Sequence, residues 1–200
     1  RGVNSLSNKL LMTLLPPSTA FFKLEVDRTE LAKEGQEGLA SEIDKGLRAY
    51  ENVLMNEIEV SNDRVAMFEA LKHLVVSGNV LLYLTDKGLK VYPLSKYVCK
   101  RDEVGNVIEI FTKETINPRA LPSEFLEKIR QKENYDAKSY EDDLDIYTCI
   151  KRYNDDIIWH QECKGEIIPD TQGQSKEDVS PWIPLRLSLI HISEPTRRYS

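Results

Sequence analysis

Three groups of side chains in this chain have types and spacings that suit chemistry. Cys149, His160 and Cys163 bring thiols and an imidazole onto one predicted hairpin, and His-x-x-Cys is half of a zinc-site spacing. A structural zinc wants four donors, and the remaining cysteine, Cys99, lies fifty residues upstream, so the set reads as incomplete. Glu141-Asp142-Asp143 with Asp145, and the pair Asp155/Asp156, offer carboxylates of the kind that hold a hard divalent cation in a metal-dependent hydrolase. They lack EF-hand spacing and its fixed glycine, and solvated loop carboxylates are the plainer reading. His73, in Leu71-Lys72-His73-Leu74, has no Ser or Cys nucleophile at a motif spacing and reads as a partly exposed structural histidine. Gly35 and Gly38 stand in Glu34-Gly-Gln-Glu-Gly38 without a following Lys-Ser/Thr, so no phosphate loop is assigned. The expectation is no catalytic residue, no metal and no cofactor: not an enzyme.

The totals agree. The chain has 200 residues, 40% hydrophobic and 30% charged, the balance of a globular protein. No apolar run is long enough for a membrane span, and no membrane partner is expected. Net charge is −6, from 27 basic and 33 acidic residues that interleave along the chain. Gripping DNA phosphates takes clustered Lys and Arg, so tight DNA binding by this segment is not expected, although passive contact is compatible with it. Three widely spaced cysteines argue for reduced thiols acting as small hydrophobes in a cytoplasmic setting. The nine tyrosines and two tryptophans sit mostly among Val and Ile in strand-like runs, which suits a packed sheet better than a base-stacking platform.

Residues 187–197 read, position by position, as one frame of a transposase-type DNA-sequencing adapter, and 198–200 follow on. Residues 187–200 are therefore set aside from fold reasoning, as a fusion scar would be, and His191, Arg197 and Arg198 carry no functional weight. No basic-then-apolar leader is read at Arg1-Gly-Val-Asn4, and the natural chain is expected to continue past both ends.

Periodicity then supplies the elements that must position any site. Apolar residues at 3, 6, 10 and 14, with partners at 11 and 15, draw an amphipathic helix that Pro16-Pro17 ends. Phe21 to Asp27 alternates as a strand. Leu39, Ile43, Leu47, Tyr50, Leu54 and Ile58 form one stripe on a long helix over 37–59. Ser61-Asn62-Asp63 offers a cap for a helix over 63–77 carrying Val65, Phe68, Leu71, Leu74 and Val75, and Gly78-Asn79 suits its end. Strands follow at 80–84, 89–93, 97–101 and 107–116, with a turn at 102–106. A short helix starts at Pro122-Ser123-Glu124, and a polar loop covers 130–143. Strands 144–153 and 157–162 flank the turn 154–156; 165–169 adds a short strand, and 181–186 is an extended terminal element. Helices first and strands afterwards make an α+β chain, with N-terminal helices packed on a mostly antiparallel β-sheet.

Four stretches carry a resemblance: Arg1 to Leu11 with the Pro16-Pro17 break, Arg64 to Leu84, Tyr97 to Val107, and Pro181 to Arg186. In order and spacing they resemble the portal, or head-to-tail connector, proteins of T7-like podoviruses, and together they span nearly all of 1–186. Asn4, Leu10, Pro16, Phe68, Glu69, Leu71, Gly78, Asn79, Tyr83, Arg101, Gly105 and Pro184 are the positions assigned to the family motif, in a structural role. The resemblance implies a partial portal protein, its wing or body region, from a ring usually of twelve identical subunits at one capsid vertex. It implies a DNA channel for packaging and ejection, with terminase, tail adaptor and capsid or scaffold proteins as partners. Transiting double-stranded DNA would not be bound sequence-specifically. Location would be the virion, after assembly in the bacterial host cytoplasm. Channel-lining stem helices would lie in sequence beyond this segment.

Two other readings stand beside this one: another virion structural or interaction module on the same α+β core, and a metal-dependent hydrolase built on the acidic clusters. The packing expected is helices 37–59 and 63–77 against one sheet formed by 80–116 and 144–168, with Phe68 and Leu71 in the core.

Overall fold

A computed structural model describes residues 1–17, 19–26, 40–133 and 143–187. The helices are α1 (Gly2–Leu14), α2 (Ala40–Val60), α3 (Asp63–Ser77) and α4 (Ser123–Glu133). The strands are β1 (Asn79–Thr85), β2 (Gly88–Pro93), β3 (Tyr97–Arg101), β4 (Val107–Ile116), β5 (Leu144–Tyr153), β6 (Asp156–Cys163), β7 (Glu166–Ile167), β8 (Gly173–Lys176) and β9 (Trp182–Arg186). The chain is α+β, and every strand pairing is antiparallel.

The single expected sheet is in fact two. One has the order β2-β1-β9; the other runs β3-β4-β5-β6-β7, with β8 also pairing β6. The apolar run Val80-Leu81-Leu82 explains the division. A strand buried on both faces needs apolar groups at consecutive positions, whereas a half-exposed strand alternates. Val80 and Leu82 face α3 with Ala70, Met67 and Leu74. Leu81 points the other way and joins Tyr92 and Trp182 against Tyr97, Ile110 and Ile150 of the larger sheet. The small sheet is thus a middle layer between α3 and the six-stranded sheet. Along the same face of the larger sheet, Leu144, Ile146 and Cys163 pack against Phe125 and Ile129 of α4.

The helices hold two further corrections. In α1 the buried residues are Ser7 and Leu11; Leu6 and Leu14, from the expected stripe, are exposed. The face turned to α3 is set by docking at the Pro16 break, where the Arg64 guanidinium donates to the Leu15 carbonyl at 2.6 Å. In α3 the buried residues are Ala70 and Leu71, with the half-buried Met67 and Leu74 packed beside them at helical spacing, while Val65 is exposed and Phe68, also half-buried, lies outside that cluster. Asn62 stands at the N-cap without a side-chain cap bond. The Ser61 hydroxyl accepts from the Asp63 N–H, and the Asp63 carboxylate reaches across to the Leu89 N–H at 2.7 Å. That reach explains Gly88: its φ is +115°, and a Cβ there would meet the Asp63 carboxylate oxygen at 2.9 Å. Gly78 ends α3 in the left-handed conformation, as the sequence implies.

Among the described residues, α2 packs chiefly against α3 rather than on either sheet. Ile43, Leu47 and Ile58 of its stripe are half-buried, but Tyr50 and Leu54 are exposed; Leu39 lies outside the described residues. The segment 21–26, expected as a strand, pairs with no sheet among the described residues. Instead its Leu24 N–H donates to the Glu51 carboxylate of α2 at 2.6 Å. The polar stretch 130–143 begins as the last turn of α4, and 134–142 lie outside the described residues. Strands β3, β4 and β5 have the expected bounds.

Candidate functional site

Strand parity decides the Cys/His group. Cys149 lies directly opposite His160 in the β5–β6 ladder, and Glu162 is two residues further along β6. Side chains two apart on a strand share a face, whereas three apart they do not. Cys163 therefore points to the opposite side, into the core beside Leu121 and Phe125. The group that comes together is Cys149, His160 and Glu162, with one donor atom from each within 4.8 Å of the others. Cys149 is buried and the other two half-buried. Burial, then the neighbouring Glu162 carboxylate, pushes the Cys149 thiol above its ordinary pKa. Glu162 escaped the sequence reading because His-x-x-Cys is a turn-and-helix spacing; period two along 160–162 was the usable signal. None of the three cysteines is in a disulfide.

The acidic groups are engaged elsewhere. Asp145 pairs with Lys113 at 2.7 Å and accepts from Thr115; Asp156 pairs with Lys176 at 2.6 Å and accepts from Gln174. Asp143 and Asp155 are exposed, and Glu141 and Asp142 lie outside the described residues, as do Gly35 and Gly38. His73 sits 3.6 Å from the Glu69 carboxylate, one turn away on α3.

These pairings carry a pH signature. The lysines beside Asp145 and Asp156 hold both carboxyls below their ordinary values, and the Asn106 side chain with turn N–H groups does the same for Asp102. A depressed folded-state pKa contributes stability that is present above the unfolded value and lost as pH falls through the folded one. The urea midpoint is therefore expected to fall on acidification below about pH 4, and to fall less in an Asp102→Asn/Asp145→Asn/Asp156→Asn variant. Parallel pH dependences in the two proteins would contradict this.

Exposed apolar side chains occur on helices, strands and turns, and α2 carries several of them. Tyr50, Val53, Leu54 and Val60 of α2 are exposed, Tyr50 by 68% and Val53 by 63%. Four such residues on one 21-residue helix make α2 a candidate contact surface.

Residues 1–162 match the family described as bacteriophage head to tail connecting protein. The chain belongs to that family. It is 34% identical to the portal protein of Escherichia phage T7 over 197 residues, which cover 94% of this chain and 36% of that protein. It is likewise 34% identical to the portal protein of Enterobacteria phage T3, and 27% identical to that of Enterobacteria phage SP6. The chain spans between a third and two fifths of the length of these curated relatives.

Within this connector chain the motif positions fall into separate places rather than one site. Asn4 and Leu10 lie on α1 and Pro16 just after it; Phe68, Glu69 and Leu71 lie on α3, and Gly78 and Asn79 at its junction with β1. Tyr83 stacks on Trp182, ring centroids 3.8 Å apart, and Pro184 lies on β9 opposite Leu81. Arg101 donates to the Gly105 carbonyl at 2.9 Å, closing the 102–106 turn, where Gly105 has a φ of +100°. Leu187 is the one described residue of 187–200, and its N–H donates to the Gly78 carbonyl.

Proposed function

We propose that the full-length protein is a subunit of a phage portal ring, a structural connector rather than an enzyme. The observation that carries this is the family match across 1–162 together with the identity to the T7 and T3 portal proteins. In this reading residues 1–186 form the wing or body region, 187–200 are adapter-derived, and the twelve motif positions hold the wing together. Twelve identical subunits surround a channel at the capsid vertex, double-stranded DNA passes without sequence-specific contacts, and terminase, tail adaptor and capsid or scaffold proteins dock on the ring. Assembly takes place in the host cytoplasm and the product resides in the virion.

Physical features support the reading. A ring subunit needs heterologous faces that close by rotation, and the exposed apolar side of α2 is a face of that kind. A net charge of −6 discourages adhesion to transiting DNA. The test uses the uninterrupted reading frame. Annular particles are expected by negative-stain electron microscopy, and Tyr50→Asp with Val53→Asp is expected to abolish them while leaving circular dichroism unchanged. Exposed substitutions of this kind usually alter stability by within about 0.5 kcal/mol. A full-length product that stays monomeric at every concentration overturns the proposal.

A further inference from the structure

We propose that Cys149, His160 and Glu162 form a binding site for a thiophilic divalent cation of the zinc class on the outer face of the six-stranded sheet. This goes beyond the connector role and is independent of it. Register supplies the geometry: Cys149 and His160 face each other across β5 and β6, and Glu162 follows on the same side. The three donor atoms lie within 4.8 Å of one another. Zinc–ligand bonds of roughly 2.0–2.3 Å place tetrahedral donors about 3.5 Å apart, so closing on an ion takes small side-chain rotations and leaves the strands in place.

Donor chemistry selects the ion. Thiolate with imidazole and carboxylate suits zinc and its cobalt surrogate, whereas magnesium and calcium favour all-oxygen shells. Neither the His160 ring nor the Glu162 carboxylate makes a hydrogen bond or ion pair with another described residue. Nearby lysines on the same face are already matched, Lys113 with Asp145 and Lys151 with Glu109 at 3.8 Å. Three protein donors leave a fourth position for water. On binding, the thiol proton passes to solvent and the sulfur's electron pair is donated to the metal; no oxidant or reductant is needed. The ion then clamps two neighbouring strands.

The 200-residue chain, reduced and metal-free, is titrated with Co²⁺. A thiolate-to-cobalt charge-transfer band saturating at one equivalent is expected, with its loss on adding Zn²⁺ and a rise in thermal midpoint with Zn²⁺. The band is expected to vanish in Cys149→Ser, to need at least about tenfold more cobalt in His160→Gln and Glu162→Gln, and to persist in Cys99→Ala. Circular dichroism shows which variants fold, and the half-buried His160→Gln and Glu162→Gln decide the matter if Cys149→Ser does not. No band in the parent chain, or an undiminished one in both of those variants, overturns the site.

Discussion

Replacing Trp182 by alanine is expected to lower unfolding free energy by about 3–5 kcal/mol, the range for deleting a large aromatic from a core. Trp182 is 5% exposed and stands on β9 at the join between the two sheets. Its ring stacks on Tyr83 at an interplanar angle of 11° and tilts against Tyr92, 6.1 Å away. It also packs in the cluster that Ile110 and Ile150 complete from the larger sheet. Truncation removes contacts from both sheets at once and leaves a cavity that neither can collapse into alone. Trp182→Phe is expected to lose much less. Its aromatic ring keeps most of the packing, and the indole N–H it deletes is buried without an acceptor among the described residues. Urea denaturation followed by far-ultraviolet circular dichroism measures both. A Trp182→Ala loss under about 1 kcal/mol would mean that the sheets do not depend on each other.

The second large effect is a contrast within one helix. Leu71→Ala is expected to cost about 2–5 kcal/mol, while Phe68→Ala costs about 1 kcal/mol, because only part of its ring leaves water. Leu71 is 4% exposed on α3, which packs against α1 and against β1 and β2. Phe68 is half-buried, with the Lys72 ammonium 5.7 Å above its ring. The same urea melts decide it, and equal costs at the two positions would reject the orientation of α3. From sequence alone both residues read as core.

That difference shows where the sequence was legible. Strands β3 to β5 could be bounded to the residue because alternation and turn residues coincide there: Asp102 to Asn106 closes one hairpin, and Asn154, with φ +56°, begins another. Helix rotation was harder. In α1 a serine, Ser7, is buried beside Leu11 while Leu6 and Leu14 are exposed, since docking geometry as well as hydrophobicity picks the face. Strand β8, Gly-Gln-Ser-Lys, escaped notice because an exposed edge strand has no apolar alternation. Its reason for being is steric: a Cβ at Gly173 would lie 2.2 Å from the Trp159 ring, so only glycine lets β8 approach β6 there. The division into two sheets was encoded in Val80-Leu81-Leu82, which a period-two reading treats as one strand without asking what covers its second face. The Cys149, His160 and Glu162 group was half legible: its pair was visible, and its third member needed the strand register.

The position of β9 in the small sheet has a consequence for how the polypeptide is made. Strand β1 is central there, flanked by β2 a few residues later and by β9 about a hundred residues later. During translation the β1–β2 hairpin leaves the ribosome with one edge of its backbone unsatisfied, and that edge stays open until Trp182 to Arg186 emerge. At ordinary elongation rates this lasts about 5–20 seconds, long enough for a bare strand to meet another nascent chain. The late strand is therefore a natural clasp against premature association, and shielding the open β1 edge until it arrives is the step at which a chaperone would have most to do.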